Sequence, residues 1–335
     1  MPLFPVHRPT IGLSISGERL TLVELHRGWR PGRRDTSLRH ADERDLPSGL
    51  VRPSASDRNL SDIPALAQEV RALLGTRRTL PVALSLPDLC AQVGLFEFEM
   101  LPKQVAEQAN LLRWRFEHDL KVPMAEARLV HRVFHLPHWT SASDQKSSGR
   151  ARVLAVAIRR DILAQYEQLC EQAGLLPVSV GIASLQLFDF CHSVMETAEE
   201  LFFAFRSDDS FSFIAVRHGC PVFLRIKPLR QAQPDLAGEL LGTLQFYDDQ
   251  EVPSHRTSDV RPRPLFFLGG HTAEQARSSR TEHLLPACHM IHPKSHLSSR
   301  IALIPLGWED LPILSNELSS PPVSGLSAFA SVMVS

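Results

Sequence analysis

Both halves of the sequence contain the same arrangement of short strands, a tight turn and following helices. The predicted strands carry apolar or β-branched residues, and the turns carry Gly17 in the first half and Asp208 and Asp209 in the second. The strands predicted on this basis are residues 11–16, 19–25, 201–205, 211–216 and 221–226. Strands followed by helices in each half indicate an α/β protein with an approximate internal duplication.

The length of the chain fits two lobes, because single hydrophobic cores seldom grow beyond about 250–300 residues and this chain has 335. We expect a first lobe over residues 1–183 and a second over 184–335. Residues 88–160 or so differ in character, since two predicted strands flank a long helix over residues 101–120. This segment is predicted to be a small α+β subdomain inserted into the first lobe.

The helix predicted over residues 101–120 has a core stripe and one conspicuous residue outside it. Trp114 lies on the other side of the helix, so it should either pack between subdomains or receive a partner peptide. The stripe residues recur at steps of three and four; they are Val105, Ala109, Leu112, Phe116 and Leu120.

Charge and cysteine content restrict the possible partners and the compartment. A formal net charge of -1 provides no overall field for a polyanion, so no nucleic-acid binding is expected. The five cysteines are odd in number and mostly lie in apolar runs, which favours a reducing compartment. Neither a signal-peptide pattern nor an apolar stretch of membrane-spanning length is found. These features predict a cytoplasmic protein.

One local cluster of basic residues leaves two interpretations open. It surrounds Trp29 and consists of Arg27, Arg30, Arg33 and Arg34. Such a cluster can meet acidic lipid headgroups at a membrane surface, or it can form a solvated hairpin loop. Four charges are a short run, which favours the solvated loop.

The sequence contains no complete pattern for metal binding or nucleophilic catalysis. No close cysteine pair accompanies either group of histidines in the sequence. In the first group, His131, His135 and His138, the residues are four and three positions apart on a predicted strand, so they cannot all face one side of it. Ser184 and Cys220 lack the turn and partners of a catalytic triad, and no Walker or Gly-x-Gly-x-x-Gly motif occurs. We therefore expect no metal site. The histidine groups considered were His131, His135 and His138, and Cys288, His289, His292 and His296.

A series of short motifs resembles the type IV pilus assembly protein PilM family. The matches are weak singly, and their order and spacing over about residues 11–270 carry the resemblance. In order they are Ile11-Gly12-Leu13-Ser14-Ile15-Ser16, Leu20-Thr21-Leu22-Val23-Glu24-Leu25, Leu84-Ser85-Leu86-Pro87, Leu101-Pro102, Trp114, Leu120-Lys121-Val122-Pro123, Ala173-Gly174-Leu175 and His218-Gly219-Cys220-Pro221-Val222-Phe223-Leu224-Arg225.

The resemblance implies an actin-like ATPase (ribonuclease H-like) fold with a nucleotide cleft between two duplicated lobes. In that family each lobe presents an Asp and a Gly to the phosphates and the metal. Here the first Asp and Gly fall on Ser14 and Ser16, beside Gly17, and the second pair falls on Ala204 and Arg206. The remaining positions assigned to this degenerate cleft are Ser207, Asp208, Gly269 and Gly270.

Without those acids we expect no cofactor and no productive binding of ATP with Mg²⁺. Asp208 and Asp209 are interpreted as a plain exposed turn, although they can in principle replace the second acid. Arg206 can instead satisfy an anion. The alternative is an active ATPase or small-molecule kinase of the same fold.

The resemblance also implies a function as a non-catalytic scaffold in an inner-membrane assembly platform. The expected partner is the cytoplasmic tail of a PilN-like membrane protein, held between the first lobe and its inserted subdomain, with other platform or motor proteins as further partners. The chain would then be peripheral to the inner membrane. A cytoplasmic component of a type II secretion platform is a further alternative.

Overall fold

The computed structural model describes residues 9–30, 33–76, 80–135, 150–195, 199–229, 236–250, 263–269, 301–305 and 325–334. Its first sheet has five strands: β1 (Ile11–Ile15), β2 (Arg19–Arg30), β3 (Arg33–Asp45), β4 (Leu80–Leu86) and β8 (Leu175–Ile182). Their order is β3-β2-β1-β4-β8. β1, β4 and β8 run parallel, whereas β2 is antiparallel to both of its neighbours.

The second sheet repeats this topology. Its strands are β9 (Glu200–Arg206), β10 (Ser210–Arg217), β11 (Cys220–Pro228), β12 (Arg263–Leu268) and β13 (Ile301–Pro305). The order β11-β10-β9-β12-β13 places the first strand in the centre again, antiparallel to the second and parallel to the fourth. The predicted α/β fold with two duplicated lobes is thereby confirmed.

Helices form three layers around the two sheets. α1 (Ile63–Leu74) and α3 (Arg160–Ala173) pack on the outer face of the first sheet, and α5 (Leu236–Gln250) packs on the outer face of the second. Between the sheets lie α4 (Ala183–Met195) and α6 (Gly325–Val334), which share one core with residues of both sheets. The two lobes therefore have a common central core.

The ends of α1 are set by local signals in the sequence. The carboxylate of Asp62 accepts a hydrogen bond from Ala65 N at 3.0 Å, and the helix ends at Gly75, whose φ is +61°. Such a side-chain cap satisfies a backbone donor that the first turn leaves free. Glycine adopts a positive φ without the steric penalty of a Cβ.

Helix α6 approaches the first sheet very closely. A Cβ atom added to Gly12 would lie 1.9 Å from the Ala328 carbonyl oxygen, so only glycine fits at this position of β1. By sequence α6 falls within the predicted second lobe, but it packs on β1, β2 and β4 of the first. The boundaries proposed at residues 88, 160 and 183 stay predictions.

An additional small sheet follows β4. A single 3-10 turn, Asp88–Cys90, leads to β5 (Gln92–Phe98), α2 (Val105–Asp119), β6 (Ala127–His135) and β7 (Ala151–Arg159). The three strands form an antiparallel sheet in the order β5-β7-β6, and α2 covers one of its faces. We call this unit the inserted sheet.

The predicted core stripe of α2 is correct only in its middle. Leu112 and Phe116 are fully buried, whereas Val105 is 70% exposed and Leu120 is 41% exposed. The core beneath α2 is formed by a sheet of only three strands, which gives a packing partner to the middle turns of the helix and not to its ends. Within the described residues, none of the helices has the length and apolar character needed to cross a membrane.

Candidate functional site

The two lobes present equivalent hairpin turns to the space between them. In the first turn Ser16 N donates to Arg19 O at 2.8 Å, and in the second Ser207 N donates to Ser210 O at 2.9 Å. These matching bonds define structural counterparts: Ser16 corresponds to Ser207. We call the space between these turns the interlobe cleft.

Counting back from the turns corrects the position predicted for the second phosphate-binding acid. The counterpart of Ser14 is Phe205, which packs in the core between the sheets. Ala204, the residue predicted from the motif, lies in the core beneath α5 and faces away from the cleft. Successive residues of a strand face opposite sides, so the prediction was in error by one residue.

Ser14 itself contacts the helix layer between the lobes. Its Oγ lies 2.6 Å from Ser327 Oγ of α6, a pair in which either hydroxyl can donate. The side chain that takes the place of the first acid is therefore engaged within the protein.

The two turns touch each other directly. Ser16 Oγ donates to Asp208 Oδ2 at 2.7 Å, across 192 positions of sequence. A Cβ placed on Gly17 would lie 3.4 Å from Asp209 Oδ2, in ordinary van der Waals contact. The prediction of a plain exposed turn at Asp208 and Asp209 was wrong, since both are partly buried against the first lobe.

A buried carboxylate that the sequence analysis did not single out joins the lobes behind these turns. Asp88 Oδ1 accepts from Ser184 N at 2.9 Å, and Asp88 Oδ2 accepts from Ser212 Oγ of the second lobe. Asp88 is 1% exposed, and burial raises its pKa. An acidic residue directly after the apolar strand at 80–86 was the available sequence signal.

Asp209 shares this environment. Burial raises the pKa of Asp209 to about 6, the charges of Asp88 and Asp208 act in the same direction, and the hydrogen bond from Ser207 opposes them. Asp209 Oδ1 accepts from Ser207 Oγ at 2.8 Å, while Oδ2 is buried with no hydrogen-bond partner among the described residues. Like-charged carboxyls in low dielectric disfavour ionisation of one another.

A buried polar cluster supports the 3-10 turn that carries Asp88. Asn59 Nδ2 donates to Cys90 Sγ at 3.1 Å, and Cys90 Sγ lies 3.2 Å from Tyr166 Oη. Burial raises the pKa of Cys90 to about 12, so its thiol is protonated at neutral pH. The cluster ties α3 and the loop before α1 to this turn.

The remaining predicted cleft residues meet at the end of β9. A Cβ on Gly269 would lie 2.9 Å from Arg206 Cβ, so this glycine allows the chain to pass close to Arg206. Gly270 lies outside the described residues. The role of Arg206 as an anion ligand stays a prediction.

No metal-binding group of three His, Cys, Asp or Glu side chains occurs among the residues that the structure describes. His131 on β6 lies 3.1 Å from Gln108 Oε1, and His135 is exposed. The other group considered, at residues 288–296, lies outside the described residues, as does His138.

A second candidate surface lies where the inserted sheet meets the edge of the first lobe. The face of this sheet that α2 leaves uncovered carries Val130, which is 58% exposed. Val156 and Ile158 on the same face pack against the core of the first lobe. Arg132, also on this face, forms an ion pair with Asp189 of α4 at 2.9 Å.

Strand β8 leads directly into α4, the helix that the Arg132–Asp189 ion pair joins to the inserted sheet. Within the described residues β8 pairs only with β4, so its outer edge has no strand partner there. It exposes Leu176 and Val178, the latter by 49%, and Val180 to a lesser degree. We call the surface formed by β8 and the uncovered face of the inserted sheet the subdomain groove.

Trp114 belongs to a different surface. It is 53% exposed on α2 and stacks on His118, with ring centroids 4.9 Å apart. The structure thus excludes packing of Trp114 between subdomains, and its role as a partner site stays a prediction.

Comparisons with known proteins show the fold. No family model matches the sequence, and no curated protein sequence matches it. A chain of a PilM-PilN type IV pilus biogenesis complex has 18% sequence identity and a TM-score of 0.70, with 97% of this chain and 98% of that chain covered. A Bacteroides thetaiotaomicron protein with an actin-like ATPase fold and unknown function has 10% identity and a TM-score of 0.51, with coverage of 91% and 93%. The chain has the actin-like ATPase fold.

Proposed function

We propose that this protein is a non-catalytic scaffold of a type IV pilus or related inner-membrane assembly platform. In this proposal it holds the cytoplasmic tail of a PilN-like membrane protein and is peripheral to the membrane through that partner. The similarity to a chain of a PilM-PilN complex over nearly the whole length supports a component of such a platform. The subdomain groove carries the proposal, because it offers exposed apolar side chains and a strand edge that has no partner strand among the described residues.

The groove suits an extended apolar segment. A tail paired with the outer edge of β8 would gain main-chain hydrogen bonds, and its alternate side chains would contact Val178 and Val130. Arg132 and Asp189 bridge the inserted sheet and α4 at this surface and hold its two sides together. No nucleotide chemistry is required for such binding.

The interlobe cleft supports the non-catalytic part of the proposal. Magnesium-bound triphosphate needs acids for the metal and open backbone for the phosphates, whereas the positions in question carry Ser14 and Phe205. The turns that would flank the phosphates are joined by the bond from Ser16 to Asp208. The carboxylates of the second turn are engaged within the protein, Asp208 by Ser16 and Asp209 by Ser207. The residues of the interlobe cleft therefore do not fit a magnesium-bound nucleoside triphosphate.

Tail binding is tested with a fluorescently labelled peptide that corresponds to the cytoplasmic tail of the PilN-like protein. Titration of the full chain, followed by fluorescence anisotropy, should show saturable binding. Val178→Asp and Val130→Asp should each weaken the affinity about tenfold or more, because a charge replaces an apolar contact.

The matched control is Val105→Asp on α2, which introduces the same charge at a more exposed valine outside the groove. It should leave the affinity unchanged. Trp114→Ala distinguishes the two candidate surfaces. A large loss of affinity in this variant, with unchanged affinity in the groove variants, would place the tail on α2. Absence of any binding to the wild-type chain would contradict the proposal.

A further inference from the structure

The hairpin of β2 and β3 extends well past the rest of the first sheet. β1 pairs with β2 no further than Glu24. Beyond it, residues 26–30 pair only with residues 33–37 in the described part of the chain. We call this two-stranded extension the distal ribbon. At about 3.3 Å per residue, its five pairs reach about 16 Å beyond the last core pair, Leu25 with Leu38.

The distal ribbon is strongly basic in an otherwise neutral chain. Its formal charge is +3, because four arginines face a single acid, Asp35, whereas the whole chain has a net charge of -1. The arginines are Arg27, Arg30, Arg33 and Arg34.

The register places an aromatic residue among these charges. In the backbone register Trp29 is opposite Arg34, and Arg27 lies two positions earlier on the same strand. Tryptophan favours the boundary between membrane and water, where one part of the ring system is apolar and another polar. Arginines beside it are attracted by the negative surface potential of anionic lipids.

We propose that the distal ribbon contacts an anionic phospholipid surface. A two-stranded ribbon that extends past the sheet can reach a flat surface without any movement of the lobes. A nucleic acid would need a longer track of phosphate contacts, and the rest of the chain, whose formal charge is -4 (the chain's -1 less the ribbon's +3), provides none. This contact goes beyond the proposed scaffold function, because it requires no partner tail.

The test is vesicle flotation with the purified full chain. The protein should bind vesicles that contain phosphatidylglycerol and phosphatidylcholine, and it should not bind phosphatidylcholine alone. Each arginine near such a surface contributes about fivefold to binding, so Arg27→Gln, Arg30→Gln and Arg34→Gln together should weaken it about 100-fold. High salt should reduce wild-type binding, and Trp29→Ala should reduce the part that salt does not remove.

The matched control replaces three exposed cations elsewhere, Arg52, Lys103 and Arg160, with glutamine. It removes the same charge and should retain vesicle binding. Thermal unfolding of the ribbon variant should match wild type, since all its changes lie beyond the core pair. Equal binding by the ribbon variant, equal binding to neutral vesicles, or binding to a single-stranded oligonucleotide without binding to vesicles would overturn the proposal.

Discussion

Replacement of Asp209 by asparagine should stabilise the protein at alkaline pH and have little effect in acid. Asn keeps an oxygen to accept the Ser207 hydrogen bond and removes a charge that burial disfavours first and the carboxyls of Asp88 and Asp208 disfavour further. The pKa of Asp209 is raised from 3.8 to about 6 in the folded protein. Each tenfold change in proton affinity is worth about 1.4 kcal/mol, so ionisation of Asp209 costs about 3 kcal/mol of stability.

The direction of the pH effect follows from the raised pKa. A group that binds its proton more tightly when folded contributes fully below its unfolded pKa, and this contribution is lost as the pH rises through the folded value. For Asp209 the loss runs from about pH 4 to about pH 6. The gain from Asp209→Asn should therefore be about 3 kcal/mol at pH 8 and under about 1 kcal/mol at pH 4.

Urea unfolding of both proteins at a series of pH values measures this difference. Asp57→Asn is the control, because that exposed carboxylate has a pKa lowered by hydrogen bonds from Ser54 and Ser56. The free energy of unfolding of this control variant should not exceed that of the wild type at pH 8. If Asp209→Asn proved no more stable than wild type at pH 8, or equally stabilising at pH 4 and pH 8, the inferred cost of the buried Asp209 charge would be refuted.

Three further predictions concern the same region. Ser16→Ala should cost about 1–3 kcal/mol, because it removes a donor to the Asp208 carboxylate, and hydrogen exchange should rise in both turns; unchanged exchange would contradict contact between the lobes there. Gly12→Ala should cost more than about 3 kcal/mol, since its Cβ meets the Ala328 carbonyl, and limited proteolysis should release α6 first; a wild-type melting temperature would contradict this. Calorimetry with Mg-ATP should show no binding heat, and tight binding would argue for the enzyme alternative.

The first two strands and the turn between them could be predicted because their signals are local. The turn at Gly17 and the cap at Asp62 both act within a few residues, and the structure shows the predicted turn closed by the bond from Ser16 N to Arg19 O. The stripe of α2 was less predictable, because the exposure of Val105 depends on how far the inserted sheet extends beneath the helix.

The candidate cleft was predictable only as a region. Motif counting assigned the second acid to Ala204, and an error of one residue moves a side chain to the other face of a strand. The interpretation of Asp208 and Asp209 failed because their burial depends on contact with Ser16. Asp88 gave a weak signal, since an acid after a strand is common and its partner Ser212 is distant in sequence.

The sequence by itself determined the duplicated α/β architecture, because strand alternation, turns and caps depend on neighbouring residues. It also determined which acids the cleft lacks and where the basic hairpin lies. Only the tertiary structure decided that the two turns touch, that Asp88 joins the lobes and that Val130 and Val178 stay exposed. Such contacts join residues far apart in the chain, and the packing of sheets and helices sets their geometry.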